Sequence, residues 1–459
     1  MNIRKLSAAL LVFSGFPALL MAQSQPVTLQ QCLNQALANN QNIAVSRYEE
    51  QKGEQQIIET RSRSLPQINA NGNITNNFKK QVIVIPAGFL GAASGDGSTG
   101  GKPTTLVAGT TYTSAISADV TQPLFDIAAL TGLKATTAGR EYYKLSTKQT
   151  EEEVISQVAQ AYYRILASRE QIKVQDTNIV RLTRLVKATQ GQYDNGLARK
   201  IDLNRIQVSL TNAQTQRTQA LNQIAIQTNQ LKVQMGVPIE TNFTPAELSL
   251  REIENNATKY VPEDNFNLQN RTEIQVLNTQ VKLGQLQKKA TQAENYPKLS
   301  AFFNYNQNAL SNNFGNIYSG GDHVGYGVGS FGIRLNIPIF DGFARRSRAA
   351  MNQVQINELE KQREATSLSL TAGFQNARIQ MSNSISSINA QKQNVQLAES
   401  VYAASQANYN LGLATLTDLL DAQNSFITSQ NSYTQALLDY KLAEIESIRS
   451  SGNIRSLLQ

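Results

Sequence analysis

Large side chains, most of them apolar, recur every seven residues along two stretches of the chain, and each series ends at a glycine-containing turn. This spacing predicts helices that pack along a narrow seam. From Asp126 to the turn at Gly196 there is no proline, so the first helix should be about 105 Å long at 1.5 Å per residue. The two series match at a constant offset (409 − 193 = 216). They are Val158, Ile165, Ile172, Ile179, Val186 and Tyr193, and then Phe374, Met381, Ile388, Val395, Tyr402 and Tyr409.

Two other regions alternate with a period of two, which predicts β-strands. In the first, small or apolar residues from Ile68 to Ile74 alternate with an unbroken row of amides. In the second, apolar residues from Phe331 to Ile339 alternate mainly with polar ones. Each region closes with Pro-Leu/Ile-Phe-Asp, at 123–126 and 338–341. A strand with one amide face indicates water on that side and an apolar environment on the other.

The elements occur in the same order twice, so the sequence predicts an internal two-fold repeat. Thr28 and Asp126 are expected to be helix N-caps, and residues 86–108, which are rich in glycine, are expected to form an external loop. The predicted divisions are a first repeat at 23–236 (helix 28–63, β-hairpin 66–125, long helical hairpin 126–235), an equatorial linker at 237–264, and a second repeat at 265–459 (helix 271–295, β-hairpin 297–340, long helical hairpin 341–459).

Residues 1–22 have the build of a secretory signal peptide, with basic Arg4 and Lys5, an apolar run and a small residue, Ala22. The single cysteine, Cys32, excludes an intrachain disulfide and is expected to be a small apolar side chain on a helix. No later window has the 18 apolar residues of a membrane-spanning helix, so strands would have to cross any membrane. The net charge of +8 is scattered along the chain and does not indicate nucleic-acid binding.

Four strands with one apolar face cannot close a barrel alone, and open strand edges are not tolerated in lipid. Several chains must therefore contribute. Three copies would supply twelve strands, enough for a barrel with a water-filled interior.

The chain resembles the TolC family of outer-membrane efflux and secretion ducts over essentially its whole mature length. The resemblance rests on Tyr-x-x-Gly-Leu-Ala at 193–198 and 409–414, on Asp-Leu-Leu-Asp-Ala-Gln at 418–423, and on the Pro-Leu/Ile-Phe-Asp motif in both halves. It implies a mainly α protein with a β-barrel part: a homotrimer whose twelve-stranded barrel lies in the outer membrane of a Gram-negative bacterium and continues into a periplasmic α-helical coiled-coil tunnel. It also implies contact with outer-membrane lipid, a periplasmic adaptor (membrane fusion) protein and an inner-membrane pump.

The resemblance assigns roles to residues at the two turns. The turns would meet the adaptor, with small residues that allow close approach and leucines that supply apolar contact. Asp418 and Asp421 match family positions facing the tunnel mouth, where three copies would form two carboxylate rings. The first half has Asp202 and Arg205 at the corresponding places, so the halves are electrostatically unequal. A plain helix reversal and a capped, solvated helix start are the alternatives. The expected docking residues are Tyr193, Gly196, Leu197, Ala198, Tyr409, Gly412, Leu413 and Ala414.

Two other classes of protein compete with a duct. An enzyme is disfavoured because the only histidine, His323, falls in a glycine-rich loop and no triad is evident. A secreted coiled-coil or adhesin stalk would not need two β-hairpins. The sequence predicts no catalytic residue, cofactor or metal site, and it does not separate drug efflux from type I protein secretion.

Overall fold

The computed structural model describes residues 26–86, 104–247, 250–259, 266–317 and 321–459. The predicted signal peptide, residues 1–22, lies outside these ranges, as does most of the predicted external loop. The helices are α1 (Leu29–Asn39), α2 (Gln41–Ser62), α3 (Ile127–Asp194), α4 (Lys200–Met235), α5 (Leu250–Lys259), α6 (Thr272–Ala293), α7 (Ala344–Asn410) and α8 (Leu416–Ser450). The strands are β1 (Gln67–Asn76), β2 (Gln81–Ile85), β3 (Thr104–Ala108), β4 (Tyr112–Phe125), β5 (Lys298–Ser311) and β6 (Val324–Asn336).

The two very long helices form as the seven-residue series predicts. Helix α3 has 68 residues and α7 has 67. The predicted N-caps are confirmed: the Thr28 hydroxyl accepts a hydrogen bond from the Gln31 N–H at 3.3 Å, and the Asp126 carboxylate accepts one from the Ala128 N–H at 2.9 Å. Within the described ranges, no helix combines the length and hydropathy needed to cross a bilayer.

The chain divides into two compact units. The first comprises the described residues of Met1–Ala44, Thr150–Asn267 and Thr371–Gln459. Its largest core joins α1, the middle of α3, the end of α4 and the end of α8. Cys32 is fully buried in this core, which confirms its predicted role, and burial raises the pKa of its thiol to about 12. The residues at the centre of this core are Cys32, Leu33, Ile155, Val158, Ile165, Leu231 and Ile445.

The second unit comprises Val45–Gln149 and Leu268–Leu370, and it holds the β-sheets. Its larger sheet is antiparallel with the order β1-β4-β5-β6, so the two predicted hairpins lie side by side through the β4–β5 pair, and β1 and β6 form the edges. Side chains on the predicted polar face form hydrogen bonds from strand to strand. The Asp119 carboxylate accepts hydrogen bonds from Asn71 on β1 and from Asn304 on β5.

Two predicted boundaries are wrong in the first half. The predicted helix 28–63 is two helices, because the chain is extended at Asn40 (ψ 130°). There the Asn40 side chain accepts hydrogen bonds from the Asn42 and Ile43 N–H groups and so caps α2. Residues 104–108, predicted as loop, form β3 and pair with β2, where Val82–Ile85 supply the β-branched residues that favour strands.

Two further differences lie later in the chain. The predicted linker contains the helix α5, whose Ile253 and Ala257 are buried against α7 and α8. The last predicted strand was expected to run through Ile339, but β6 ends at Asn336, before Pro338, which has no N–H to donate to a ladder.

Candidate functional site

The turns after α3 and α7 have the same backbone geometry. After α3, the Leu197 N–H donates to the Gln192 carbonyl at 2.7 Å and the Gly196 N–H donates to the Tyr193 carbonyl at 2.9 Å. After α7, the equivalent bonds join Leu413 to Asn408 at 2.8 Å and Gly412 to Tyr409 at 3.0 Å. These are the paired bonds of a Schellman helix end, with glycine in the left-handed conformation (φ +73° and +75°). The sequence motif therefore specifies a rigid reversal in both halves.

Both turns present an exposed leucine. Leu197 is 81% exposed and Leu413 is 75% exposed, although an apolar residue at this position usually packs back on its own helix. Ala198 and Ala414 are half-buried behind them. The two tyrosines differ, because Tyr193 is exposed whereas Tyr409 packs against the apolar clusters behind the turns.

The helix that follows the second turn starts with a complete capping box. The Thr415 hydroxyl accepts a hydrogen bond from the Asp418 N–H at 3.2 Å, while the Asp418 carboxylate accepts from the Thr415 N–H at 2.9 Å and from its hydroxyl at 2.6 Å. The bonds from the Thr415 hydroxyl and N–H hold the pKa of Asp418 below its ordinary value. Asp418 thus stays charged at neutral pH and caps its own helix, which was the alternative prediction for this residue.

The helix that follows the first turn starts differently. Arg199 is the N-cap of α4 and makes no side-chain capping bond. Its guanidinium instead forms an ion pair with Asp202, with Nε 2.8 Å from Oδ2. The carboxylate equivalent to Asp418 is therefore neutralised in the first half, and the predicted electrostatic inequality of the halves extends to Arg199.

Asp421, the other predicted aperture residue, lies one turn after Asp418 on α8 and is exposed. No hydrogen bond or ion pair to its carboxylate is present in the described part of the chain. Asp418 and Asp421 therefore both reach solvent from the first turns of α8, and only Asp418 is engaged by its own helix.

Contacts between the two helical hairpins join residues far apart in sequence. The Arg205 guanidinium on α4 donates to the Thr417 hydroxyl on α8 at 3.1 Å, which joins the starts of the two helices. Farther along, the buried Gln423 amide donates to the Asn178 side chain at 2.5 Å. An apolar cluster lies between these two contacts, formed by Leu182, Ile206, Leu210, Ala213 and Leu416.

A third contact joins α3 to both α7 and α8. The Arg181 guanidinium lies 5.3 Å from the ring centroids of Tyr402 and Phe426, and the two rings are stacked. Arg181, Arg199 and Asn178 were not predicted from the sequence. For Arg181 and Asn178, the available signal was a charged or amide side chain beside the apolar positions of a helical seam.

The described residues contain no cluster of histidine, cysteine or acidic side chains that could hold a metal ion. His323 lies immediately before β6, with Nδ1 2.9 Å from the Gly321 carbonyl oxygen, which agrees with its prediction as a loop residue.

Solved structures of outer-membrane channels share this arrangement of long helices and antiparallel strands. The Campylobacter jejuni CmeC outer membrane channel matches with a TM-score of 0.73 and 12% identity, over 99% of this chain and 94% of that one. The outer membrane protein VceC of Vibrio cholerae matches with a TM-score of 0.70 and 14% identity, over 92% of this chain and 96% of that one. These similarities establish the fold.

The sequence comparisons establish the family. The model of the family described as outer membrane efflux protein matches residues 32–237 and 267–453. Outer membrane protein TolC of Escherichia coli (strain K12) is 24% identical over 98% of this chain and 84% of its own length. The chain belongs to the outer membrane efflux protein family, as the resemblance to TolC predicted. It is an outer-membrane efflux channel.

Proposed function

We propose that three copies of this chain form a passive exit duct. Each copy contributes its four-stranded sheet to a twelve-stranded barrel in the outer membrane, and its long helices to a periplasmic tunnel. The internal two-fold repeat and the division at 23–236, 237–264 and 265–459 belong to the same proposal. The duct has no catalytic residue and no cofactor, and the pump that it serves supplies the energy.

The observation that carries the proposal is an apolar sheet face that is exposed in the single chain. On β6, Phe331, Ile333 and Leu335 are all exposed, and so are Ile68 and Ile74 on β1. An apolar face of this kind needs a covering, and lipid supplies one. Lipid does not satisfy unpaired backbone groups, so the edge strands β1 and β6 must pair with other copies. Pairing β6 of one copy with β1 of the next closes a ring.

The turns support a second part of the proposal, namely docking of a periplasmic adaptor. Leu197 and Leu413 are exposed on reversals whose backbone is already fixed by hydrogen bonds. A preformed apolar contact loses little conformational entropy on binding. The adaptor would contact Tyr193, Gly196, Leu197 and Ala198 at one turn, and Tyr409, Gly412, Leu413 and Ala414 at the other.

The start of α8 supports the third part, an aperture lined by Asp418 and Asp421. In three copies these residues would form two rings of carboxylates, which favour the passage of cations. The proposal covers a drug pump and a type I secretion pump alike, because the pump, and not the duct, selects most of the cargo. Family membership favours the duct over a secreted coiled-coil stalk.

The first experiment is to measure the oligomeric mass of the detergent-purified protein together with its conductance in a planar bilayer. We expect a mass of three chains and discrete channel openings. A soluble monomer without channels would contradict the proposal.

A pair of arginine substitutions on β6 tests the orientation of the sheet. Ile333→Arg places a charge on the apolar face and should abolish insertion, because arginine costs about 2–4 kcal/mol at the bilayer midplane. Ser330→Arg places the same charge on the alternate face of the same strand and should insert normally. Equal insertion by the two variants would show that the apolar face does not contact lipid.

A further inference from the structure

The strands β2 and β3 form a two-stranded ribbon that is apolar and exposed. Five of its large apolar side chains are between 47% and 60% exposed, namely Val82, Ile83, Val84, Leu106 and Val107. A two-stranded ribbon is only marginally stable in water by itself. Lipid would not complete it, because among the described residues the outer edges of β2 and β3 have no partner strand, and lipid does not satisfy their backbone groups. The ribbon therefore needs a protein partner.

Hydrogen bonds hold the ribbon in line with the larger sheet. The Asn312 side-chain oxygen, next to the end of β5, accepts bonds from Lys80 Nζ at 2.8 Å and from the Thr111 N–H at 3.2 Å. The Asn77 N–H donates to the Thr111 carbonyl at 2.7 Å, which joins the two connecting segments. The strand β2 therefore continues the free edge of β1, and β3 continues β4.

The two β-hairpins of the larger sheet have the same register. Gln67 of β1 lies opposite Thr121 of β4. The equivalent residues of the second hairpin are Lys298 (298 − 67 = 231) and Asn336 (336 − 121 = 215), and these also lie opposite each other. The offsets of 231 and 215 therefore transfer a register from one pair of strands to the equivalent pair.

The junction between β4 and β5 is a template for the junction between two copies. Val120 of β4 lies opposite Phe303 of β5. The same offsets place Leu335 of β6 (120 + 215 = 335) opposite Gly72 of β1 (303 − 231 = 72) in the next copy. The space around Gly72 is open in the single chain, so it can accept a large side chain from a neighbour. This register therefore sets a leucine against a glycine.

In this register β1 is too short to pair with the whole of β6. Phe331 lies opposite Asn76, the last residue of β1, so the N-terminal part of β6, residues 324–330, extends beyond it. The next strand along the same edge is β2. Four residues (77–80) join β1 to β2, but only three (109–111) join β3 to β4, so the register advances by one residue, as the β2–β3 pair shows.

The large apolar residues of β6 change face along the strand. From Phe331 to Leu335 they occupy odd positions, whereas in the N-terminal part they occupy even positions, at Val324, Tyr326 and Val328, with glycine between them. An advance of one residue exchanges the two faces of a strand. The change of face on β6 therefore matches the extra residue on the edge formed by β1 and β2.

The advanced register pairs exposed apolar residues with each other. It sets Val82 opposite Tyr326 and Val84 opposite Val324, and all four are exposed in the single chain. Residues directly opposite in an antiparallel pair lie on the same face and contact each other. Ile83, which lies between the two valines, is set opposite Gly325, so two bulky side chains do not compete for space there.

We propose that the β2–β3 ribbon is a docking element for a second copy of this chain, in which β2 pairs with the N-terminal part of β6 in the neighbouring copy. Each ribbon would thereby gain a third strand, and three ribbons would extend the ring of strands beyond β1. This inference rests on the proposed function, because it needs the copies to be arranged in a ring.

A cysteine pair tests the contact. On mild oxidation of the detergent-purified protein, we expect Val82→Cys combined with Tyr326→Cys to give covalent trimers on a denaturing gel, because opposite residues have Cβ atoms about 4.5–5.5 Å apart. One chain cannot form this disulfide by itself, since β1 and β6 are opposite edges of its sheet, three strand spacings or roughly 14 Å apart. If this variant does not assemble, Val84→Cys with Val324→Cys takes its place.

Two controls accompany the test. Val82→Cys with Val328→Cys keeps the same faces but moves one cysteine by two residues, and it should cross-link far less. The wild-type protein has only Cys32, which is fully buried, and should not cross-link. Equal cross-linking of the Tyr326 and Val328 variants would overturn the proposed register.

A third pair separates this inference from the barrel itself. Ile74→Cys with Ile333→Cys joins β1 to β6 in the same register and should also give covalent trimers. Cross-linking of this pair alone would overturn the docking of the ribbon and leave the barrel intact. A trimeric mass without cross-linking in either pair would overturn the register along the whole edge, whereas a monomer without cross-links would contradict the proposed function.

Discussion

At the scale of single residues, Gly236 has the most restrictive surroundings described. It ends α4 with φ +67°, and its Cα faces the backbone between α1 and α2 so closely that an added Cβ would overlap the Asn39 carbonyl. Asn40 secures the same junction by donating from its side-chain amide to the Gln234 carbonyl at 2.6 Å. One residue thus both reverses the chain and allows the two backbones to meet.

We predict that Gly236→Ala destabilises the protein far more than the roughly 1–2 kcal/mol of a left-handed alanine. The matched control is Gly412→Ala, at φ +75° with open space around the added Cβ, where the left-handed conformation is the only cost. Thermal unfolding followed by circular dichroism compares the two. An equal loss of stability in the two variants would show that the backbones at Asn39 and Gly236 can separate without cost.

The capping box of α8 carries a second prediction at this scale. Thr415→Ala should destabilise the protein by about 1 kcal/mol, because it removes the acceptor for the Asp418 N–H. Thr428→Ala, at an exposed position in the interior of the same helix, is the control and should have little effect.

The pH dependence of the same box follows from Asp418. Its folded-state pKa is lowered, so its contribution is present above the ordinary value of 3.8 and is lost as the pH falls through the lowered value. Unfolding midpoints measured between pH 3 and pH 7 should therefore fall more steeply in the wild type than in Asp418→Asn. Parallel curves would mean that the capping bonds do not distinguish the two ionisation states.

At the scale of elements, α5 is held by side chains that come from far along the chain. Its Glu254 carboxylate accepts a hydrogen bond from the Tyr433 hydroxyl on α8 at 3.0 Å and is paired with Lys392 on α7. Burial, together with the bond to Glu254, raises the pKa of Tyr433 from 10.0 to about 12. The neutral phenol is therefore the form that the folded state favours.

We predict that the hydrogen bond between Tyr433 and Glu254 is lost at alkaline pH. Because the pKa is raised, its contribution is present below pH 10 and is lost as the pH rises through about 12. Tyr433→Phe should cost about 1–2 kcal/mol at pH 8, and this difference should shrink above pH 10. Tyrosinate absorbance and unfolding midpoints measure the two effects, with Tyr48→Phe, at an exposed position, as the control. A constant difference across this range would exclude the contact as the cause.

Elements that depend on nearby residues could be predicted from the sequence, whereas elements that depend on distant contacts could not. The bounds of α3 and the glycine turns follow from periodicity and local backbone preference, which depend on nearby residues. Helix α5 was missed because its stability comes from burial of Ile253 and from Glu254, against partners more than a hundred residues away. The break at Asn40 had a local signal, an asparagine that can cap a helix, but its side chain also bonds to Gln234 across 194 residues. Local patterns do not encode such contacts.

The same limit applies to the candidate site. The sequence located both turns and the acidic residues of α8, because these belong to short motifs. It gave a capped helix start only as an alternative for Asp418, and it did not show that Arg205 reaches Thr417 across 212 residues. Which charged groups are paired near the predicted aperture therefore follows from the folded structure and not from the motifs.

At the scale of the whole molecule, the proposed aperture would select ions by the charges on the first turns of α8. Three copies would bring together the exposed carboxylates of Asp418 and Asp421, while Asp202 is already paired with Arg199. We predict that the double variant Asp418→Asn and Asp421→Asn loses most of its cation preference in bilayer recordings. Asparagine at 418 retains a side-chain oxygen for the Thr415 N–H, so the change removes charge and leaves the helix start in place. Asp202→Asn is the matched control and should retain the wild-type selectivity. If the control lost as much selectivity as the double variant, the selecting field would come from the whole end of the hairpins and not from α8.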